Sequence, residues 1–376
     1  MQNNIKKVIS LLAIVIFIIV AVIYNCNTSE KKFKKDGILY ALSIDGVNST
    51  SFPSKGLYKV NVTCENAIGK WLYDDWKLSI ENITGDVSCD LDFTTTEKSF
   101  LNTYIMGLVG TTQGIGQLVN ENGYRYEGKN PNNYIWFNNE YWRIIGVFDS
   151  TSHGQSEKNM VKIIRDDVLS GLAWDKSDKN DWSTASLNLL LNGAYYSAKD
   201  GINSGYCYGL YSTVTGNCNY TKSGIQDDYR GMIANVTWYL GGSSSASSTA
   251  DAFYGYERGS TVYSGRPTTT TGYIGLIYPS DYGYSVLSSS CARTTNLDSY
   301  DSDTCAGASW LYDGALWTLT PGLSYRQNVF FFNNIAKMVQ YGARYGYGVR
   351  PVLYLDSSVL LYDGDGSLEN PYIIGM

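Results

Sequence analysis

Along this chain, apolar and polar positions fall into one dense pattern between Tyr134 and Phe148, YIWFNNEYWRIIGVF. Two apolar-aromatic runs flank Asn138-Asn139. Asparagine tolerates positive φ better than most residues, so this pair predicts a two-residue hairpin turn. Beyond it, Trp142, Ile144, Ile145, Val147 and Phe148 leave almost no polar position, which predicts a strand buried on both faces. A second such run, Val349 to Leu355, lies near the C-terminus. The stretch from one to the other reads as a single domain, residues 124–376.

Upstream the period changes. Residues 37–96 alternate apolar and polar positions in LYKVNV and WKLSI, and several short strands separated by turns predict a small β-sandwich. Phe100, Leu101, Tyr104, Ile105 and Leu108 keep helical spacing, and the Gly- and Asn-rich 110–123 reads as a linker, so 97–123 is expected to be helix and linker. Its Gly114-x-Gly116 has no third glycine in register and does not make a nucleotide site. Within 124–376 a strand is expected at Met160–Ile164. Two main helices are expected: Thr184–Leu191, capped by Ser183 and ended by Gly193, and Ile225–Leu240, ended by Gly241-Gly242. Residues 243–271 read as a long surface loop, and Cys291 and Cys305 are expected in another loop. A closing hairpin is expected around Asp363-Gly364-Asp365-Gly366-Ser367.

The N-terminus follows a different pattern. Val8 to Tyr24 carries no charge and has the length of a short spanning helix. No small-residue cleavage site follows it, so residues 1–26 read as an uncleaved signal anchor, with 27–36 as a charged stalk. Cys26 lacks the small preceding residues that lipidation needs. Lysines flank the segment on both sides, so the positive-inside rule does not orient it. The other cysteines lie in neighbouring pairs, Cys64/Cys89, Cys207/Cys218 and Cys291/Cys305. Other pairings are open, but local disulfides are the simplest, and disulfides belong to oxidising compartments. The expected location is therefore the cell membrane, single-pass, with the C-terminal body extracellular.

Charge narrows the partners. The chain has 29 Lys+Arg and 35 Asp+Glu, net −6. Six of those lysines and one of the acids precede residue 36, leaving 23 basic against 34 acidic residues, net −11, for 36–376. Such a body is unsuited to nucleic acid, where cations must meet phosphates. Its 33 tyrosines and 38 glycines match the chemistry of binding loops and also that of an ordinary β-rich surface protein.

Trp142-Arg143-Ile144-Ile145, Trp182 to Asn192 (WSTASLNLLLN), Leu319-Thr320-Pro321-Gly322 and Gly348-Val349-Arg350-Pro351-Val352-Leu353 occur in an order that resembles a family of uncharacterised surface proteins of low-GC Gram-positive bacteria. The last motif is the most specific, and the resemblance covers residues 124–376. It implies a C-type-lectin-like fold, of the kind shared by formylglycine-generating enzymes and hypervariable bacterial receptors, and a surface role. It brings no activity. The Trp-Asn-Asp calcium and sugar motif of C-type lectins is missing, as is a reactive cysteine pair. The expected fold class is thus α+β: a transmembrane helix, a small β-sandwich, then a C-type-lectin-like mixed domain with two main helices and several short strands.

Candidate site residues are few. Trp310, Trp317, Tyr325, Tyr341, Tyr345 and Tyr347 would make a stacking surface for sugars or peptides. Arg350 would bind a carboxylate or phosphate, or serve the fold by capping carbonyls or pairing with an acid. Asp363, Asp365, Ser367 and Glu369 alternate as oxygen donors for Ca²⁺, although the twelfth position from Asp363 is Ile374 where an EF-hand has glutamate. The same residues also suit a Gly-rich turn. The single histidine, His153, reads as a solvated loop residue, and one histidine argues against His-rich metal sites and a Ser-His-Asp triad. Asp166/Asp167 and Asp227/Asp228 are adjacent pairs, poorly placed to face one cleft as glycosidase acids. The expected function is a membrane-anchored extracellular binding or adhesion module for a glycan or protein, without catalytic residues. The alternatives are an enzyme acting on cell-wall glycans and a passive structural component of the envelope.

Overall fold

The computed structural model describes residues 32–35, 37–54, 58–72, 76–95 and 99–376. The expected anchor at Val8–Tyr24, with Cys26 and Asn27, lies outside these residues. No helix among the described residues is long and apolar enough to cross a membrane. Strands hold 38% and helices 16% of the described residues. The protein is therefore mainly β, and the expected α+β class with two main helices is overturned. Contacts divide the chain into two compact units, with the boundary after residue 97.

In the first unit, a sheet runs in the order Lys32–Lys35, Ile38–Ile44, Ser88–Thr95, Tyr58–Glu65, with Val47–Ser49 paired to Ile38–Ile44. Part of the expected stalk is thus a strand, Lys32–Lys35. Tyr40, Leu42, Leu91 and Phe93 bury one face of the sheet. The hairpin Ile68–Leu72/Lys77–Glu81 adds Trp71 to that core, its ring 4.9 Å from Phe93. Cys64 and Cys89 stand opposite each other on paired strands and are bridged. The polar side chains on the other face, including Ser43, Asn61, Thr63, Asp90 and Asp92, line an open cleft of about 240 Å³.

The second unit is built on the expected hairpin. Tyr134–Phe137 and Glu140–Phe148 pair with Phe137 opposite Glu140, and Asn138 and Asn139 both take positive φ, 58° and 60°. These are the angles of the turn that matches strand twist. Trp142, Ile144, Val147 and Phe148 are all buried, each such side chain contributing roughly 1.5–3 kcal/mol. From that strand the sheet continues through Met160–Arg165 and Val352–Leu355 to Ile274–Gly275 on one side, and through Tyr134–Phe137, Tyr372–Gly375, Leu360–Asp363 and Ser99–Phe100 on the other.

The helices differ most from expectation. Ile225–Leu240 holds only a short helix, Asp227–Arg230, followed by a strand, Val236–Tyr239, paired with Thr269–Gly272. The 3–4 spacing there was coincidental, and β-branched Val236 and Thr237 gain a ladder by pairing. Residues 182–195 are helical in three short pieces that run past Gly193, and the Ser183 hydroxyl donates to Asp181 without capping a helix. The expected loop 243–271 contains a helix, Ala250–Arg258. The expected linker 110–123 contains a strand, Ile115–Asn120, paired with Tyr124–Asn130.

The expected loop around Cys291 and Cys305 also differs in part. The two cysteines are bridged, in the expected pairing. Cys305, however, does not sit in an open loop: it immediately precedes the short 3₁₀ turn Ala306–Ala308, and its carbonyl accepts from the Ala308 N–H. Both cysteines are buried and join the core of this unit, so the bridge ties the segment to the core and keeps its sulfurs from solvent.

Candidate binding surface

A second sheet of this unit runs in the order Gly171–Ala173, Gly346–Gly348, Leu316–Pro321, Asn328–Phe332, Met338–Gly342. Phe331 and Tyr347 stand between Trp317 on one side and Tyr341 on the other, each touching both. Phe331 and Tyr347 stack at 4.1 Å with 12° between planes. Trp317 lies beneath them, buried, its ring 4.9 Å from that of Tyr347, and its indole N–H donates to the Leu172 carbonyl. Above them, in the turn between the last strand and Gly346–Gly348, Tyr345 meets Tyr341 at 4.2 Å. A hydrogen bond between those two phenols raises the Tyr341 pKa.

The cluster is completed from elsewhere. Cys207 and Cys218 are bridged, and the loop they close presents Leu210, Tyr211 and Val214 to solvent, at 50%, 58% and 73% exposure. Tyr211 lies 5.1 Å from Tyr345. Tyr211 and Ser212 both hold positive φ, 57° and 55°, a conformation costing a non-glycine residue roughly 1–2 kcal/mol. The surrounding structure therefore holds this loop tip in place. The Arg344 guanidinium lies 5.9 Å and 5.7 Å from the Tyr211 and Tyr345 rings and pairs with Asp178 at 3.8 Å. The result is an aromatic platform with one charged pair at its rim and Tyr341 still 43% exposed.

Of the expected binding residues, Tyr341, Tyr345 and Tyr347 come together, with Trp317 as support. Tyr325 is exposed on an adjoining turn, tied to the platform by the Ala343 N–H donating to the Gln327 carbonyl. Trp310 is elsewhere: it is buried, and its indole N–H donates to the Tyr126 carbonyl. Arg350 is 3% exposed. It donates to the Arg165 and Leu311 carbonyls and pairs with Asp166 at 3.5 Å, so its guanidinium is spent within the fold. Tyr211 and its loop were not foreseen; three apolar exposed residues inside a short cysteine spacing were the available signal.

The remaining candidates are dispersed. Asp365 accepts from the Ser367 N–H and Asp363 from the Gly364 N–H, while the Ser367 hydroxyl accepts from the Asn370 N–H. These oxygens serve their own turn. No group of three or more His, Cys, Asp or Glu side chains suited to a metal is found among the described residues. His153 is buried, contrary to the expected solvated loop. Its Nε2 bonds the Phe148 carbonyl at 3.1 Å, Nδ1 accepts from the Gln155 N–H, and burial lowers its pKa. Asp227 pairs with Arg230 on its own short helix.

A cluster of buried charges was also unforeseen. Lys162, Arg125 and Asp281 meet in the core with side chains 0–1% exposed, beside buried Glu257 and its partner Arg258. Burial pushes the Lys162 amine down to about 8 and the Glu257 carboxyl up to about 7. Burial would also raise Asp281, but the adjacent Lys162 and Arg125 charges overcome it and hold the carboxyl down at about 2.

Comparison of the chain with protein-family models, with curated proteins and with solved structures finds no match.

Proposed function

We propose that this protein is a binding module of the cell exterior. Val8–Tyr24 attaches it to the membrane, and the body holds an extracellular glycan or protein against the Tyr211/Tyr341/Tyr345/Tyr347 platform. The observation that carries this reading is the platform's construction: a disulfide-closed loop holds Tyr211 in a strained backbone conformation, exposed, against Tyr345. Strain retained at an exposed aromatic favours a functional role over chance exposure. Tyrosine supplies rigid contact area at little entropic cost on binding. The three disulfides, Cys64–Cys89, Cys207–Cys218 and Cys291–Cys305, support an oxidising environment.

The test is binding of the purified body to a panel of glycans, peptidoglycan and extracellular proteins. Saturable binding lost in Tyr341→Ala/Tyr345→Ala supports the module. A folded protein that binds nothing on the panel favours the passive envelope role. Hydrolysis of a panel glycan would favour the enzyme, which requires two carboxylates about 5–9 Å apart at a cleft.

A further inference from the structure

The contact between Lys162 and Asp281 has the geometry of a reaction as well as of an ion pair. Lys162 lies on Met160–Arg165, a central strand of the large sheet. Asp281 lies in the first turn of the short helix Pro279–Ser285. The Lys162 Nζ is 2.5 Å from the Asp281 Oδ2, and both side chains are fully buried. Aromatic rings enclose the amine: Nζ is 4.6 Å from the Tyr278 ring, 5.6 Å from Phe148 and 5.7 Å from Tyr354. Water is therefore kept from both the amine and the carboxyl carbon.

Two further contacts bear on the carboxyl. Arg125 Nη1 donates to Asp281 Oδ1 at 2.9 Å, and the Tyr278 backbone N–H donates to Oδ2 at 3.0 Å. We propose that Lys162 and Asp281 condense to an isopeptide bond, covalently joining the central strand to the helix Pro279–Ser285. One ammonium proton passes along the short contact to Oδ2, leaving a neutral amine and a carboxylic acid. Nζ then attacks Cγ, and negative charge develops on Oδ1, where the Arg125 guanidinium stabilises it. The nitrogen gives a second proton to Oδ2, the Cγ–Oδ2 bond breaks, and one water leaves as the amide forms. Nothing is oxidised or reduced and no co-reactant is needed. Holding the two groups in contact removes the entropic cost of a bimolecular encounter, and exclusion of water opposes the reverse hydrolysis. Burial makes the amine easier to deprotonate, whereas the Lys162 and Arg125 charges hold the carboxyl down, so the proton transfer is the uphill step, and the permanent contact of the two groups is what makes it accessible.

The test is the mass of the full-length purified protein. After reduction of the disulfides, the intact chain should be lighter than its sequence mass by one water. A tryptic digest should yield one branched peptide containing Lys162 and Asp281, with no cleavage after Lys162. Lys162→Arg keeps the buried cation but cannot form the amide, and should run at its full sequence mass. Wild-type protein at full mass, with linear peptides and cleavage after Lys162, overturns the proposal and leaves an ordinary ion pair. The wild-type measurement decides the matter even if Lys162→Arg does not fold.

Discussion

Removing the Cys207–Cys218 bridge should separate the stability of the second unit from the shape of its binding surface. The two cysteines are 11 residues apart. In the chain-entropy model, opening a loop of that size costs about 3 kcal/mol. For a unit this large, each kcal/mol corresponds to roughly 2 °C in melting temperature, so Cys207→Ala/Cys218→Ala should melt about 6 °C lower. Both cysteines are buried, and alanine avoids burying a new polar atom. The bridge also helps to hold Tyr211 and Ser212 at positive φ. Freed from it, the two residues relax the roughly 1–2 kcal/mol each that this conformation costs, and Tyr211 leaves Tyr345. Binding should then fall about tenfold, the equivalent of ~1.4 kcal/mol. Tyr211→Ala is the companion variant: its ring is mostly exposed, so binding should fall by the same factor while the melting temperature changes little. Thermal melting followed by tryptophan fluorescence, with binding titrations in parallel, reads both effects. A double variant that melts lower but binds as tightly as wild type would refute the role of the loop. An unchanged melting temperature would refute the constraint itself.

Three further outcomes follow from the described contacts. Glu257, raised to about 7 from an ordinary value of 4.5, holds a proton in the folded protein that it loses on unfolding, so stability should fall as pH rises from about 4.5 through 7. The total is on the order of 3 kcal/mol, and urea denaturation at pH 5 and pH 8 should show that fall in wild type and not in Glu257→Gln. Arg350→Met strands two buried carbonyls and should lower stability by about 2–4 kcal/mol, with binding per folded molecule unchanged; a selective loss of binding would return Arg350 to the ligand site. Asn138→Ala puts alanine at positive φ and removes hydrogen bonds to Gln226 and Gly224, so denaturant titration should show a loss of about 2 kcal/mol.

The sequence was most legible where one local cause decides the structure. Asn138-Asn139 fixes a turn through its own φ preference, and an unbroken apolar run can only be buried. The three cysteine pairs were legible for a similar reason, since each closes a short stretch of chain. The burial of Cys291 and Cys305 was not, because a polar run such as Ser288 to Ser290 gives no local sign of the core beneath it. Elsewhere, too, the deciding partner lies far along the sequence. Val236–Tyr239 becomes a strand because Thr269–Gly272 accepts it as a neighbour. The helix Ala250–Arg258 hid behind a buried glutamate, Glu257, which accepts hydrogen bonds from Ser280. Gly116 suggested a linker, yet a Cβ there would lie 2.2 Å from the Glu127 carbonyl oxygen, so glycine is what lets two strands approach. The binding surface divides in the same way. Tyr341, Tyr345 and Tyr347 lie close together along the chain and could be grouped from sequence. Tyr211 reaches them only through tertiary packing.

The most direct measurement is a titration of the ligand found on the panel against two paired variants. Tyr211→Ala/Tyr341→Ala strips the exposed rings of the platform. Trp136→Ala/Tyr141→Ala strips a comparable aromatic pair, 5.1 Å apart, from the outer face of the central hairpin. A ligand held on the platform requires at least a tenfold loss of affinity in the first and wild-type affinity in the second, with both proteins folded. Retained affinity in the first variant, or a loss confined to the second, would contradict that placement.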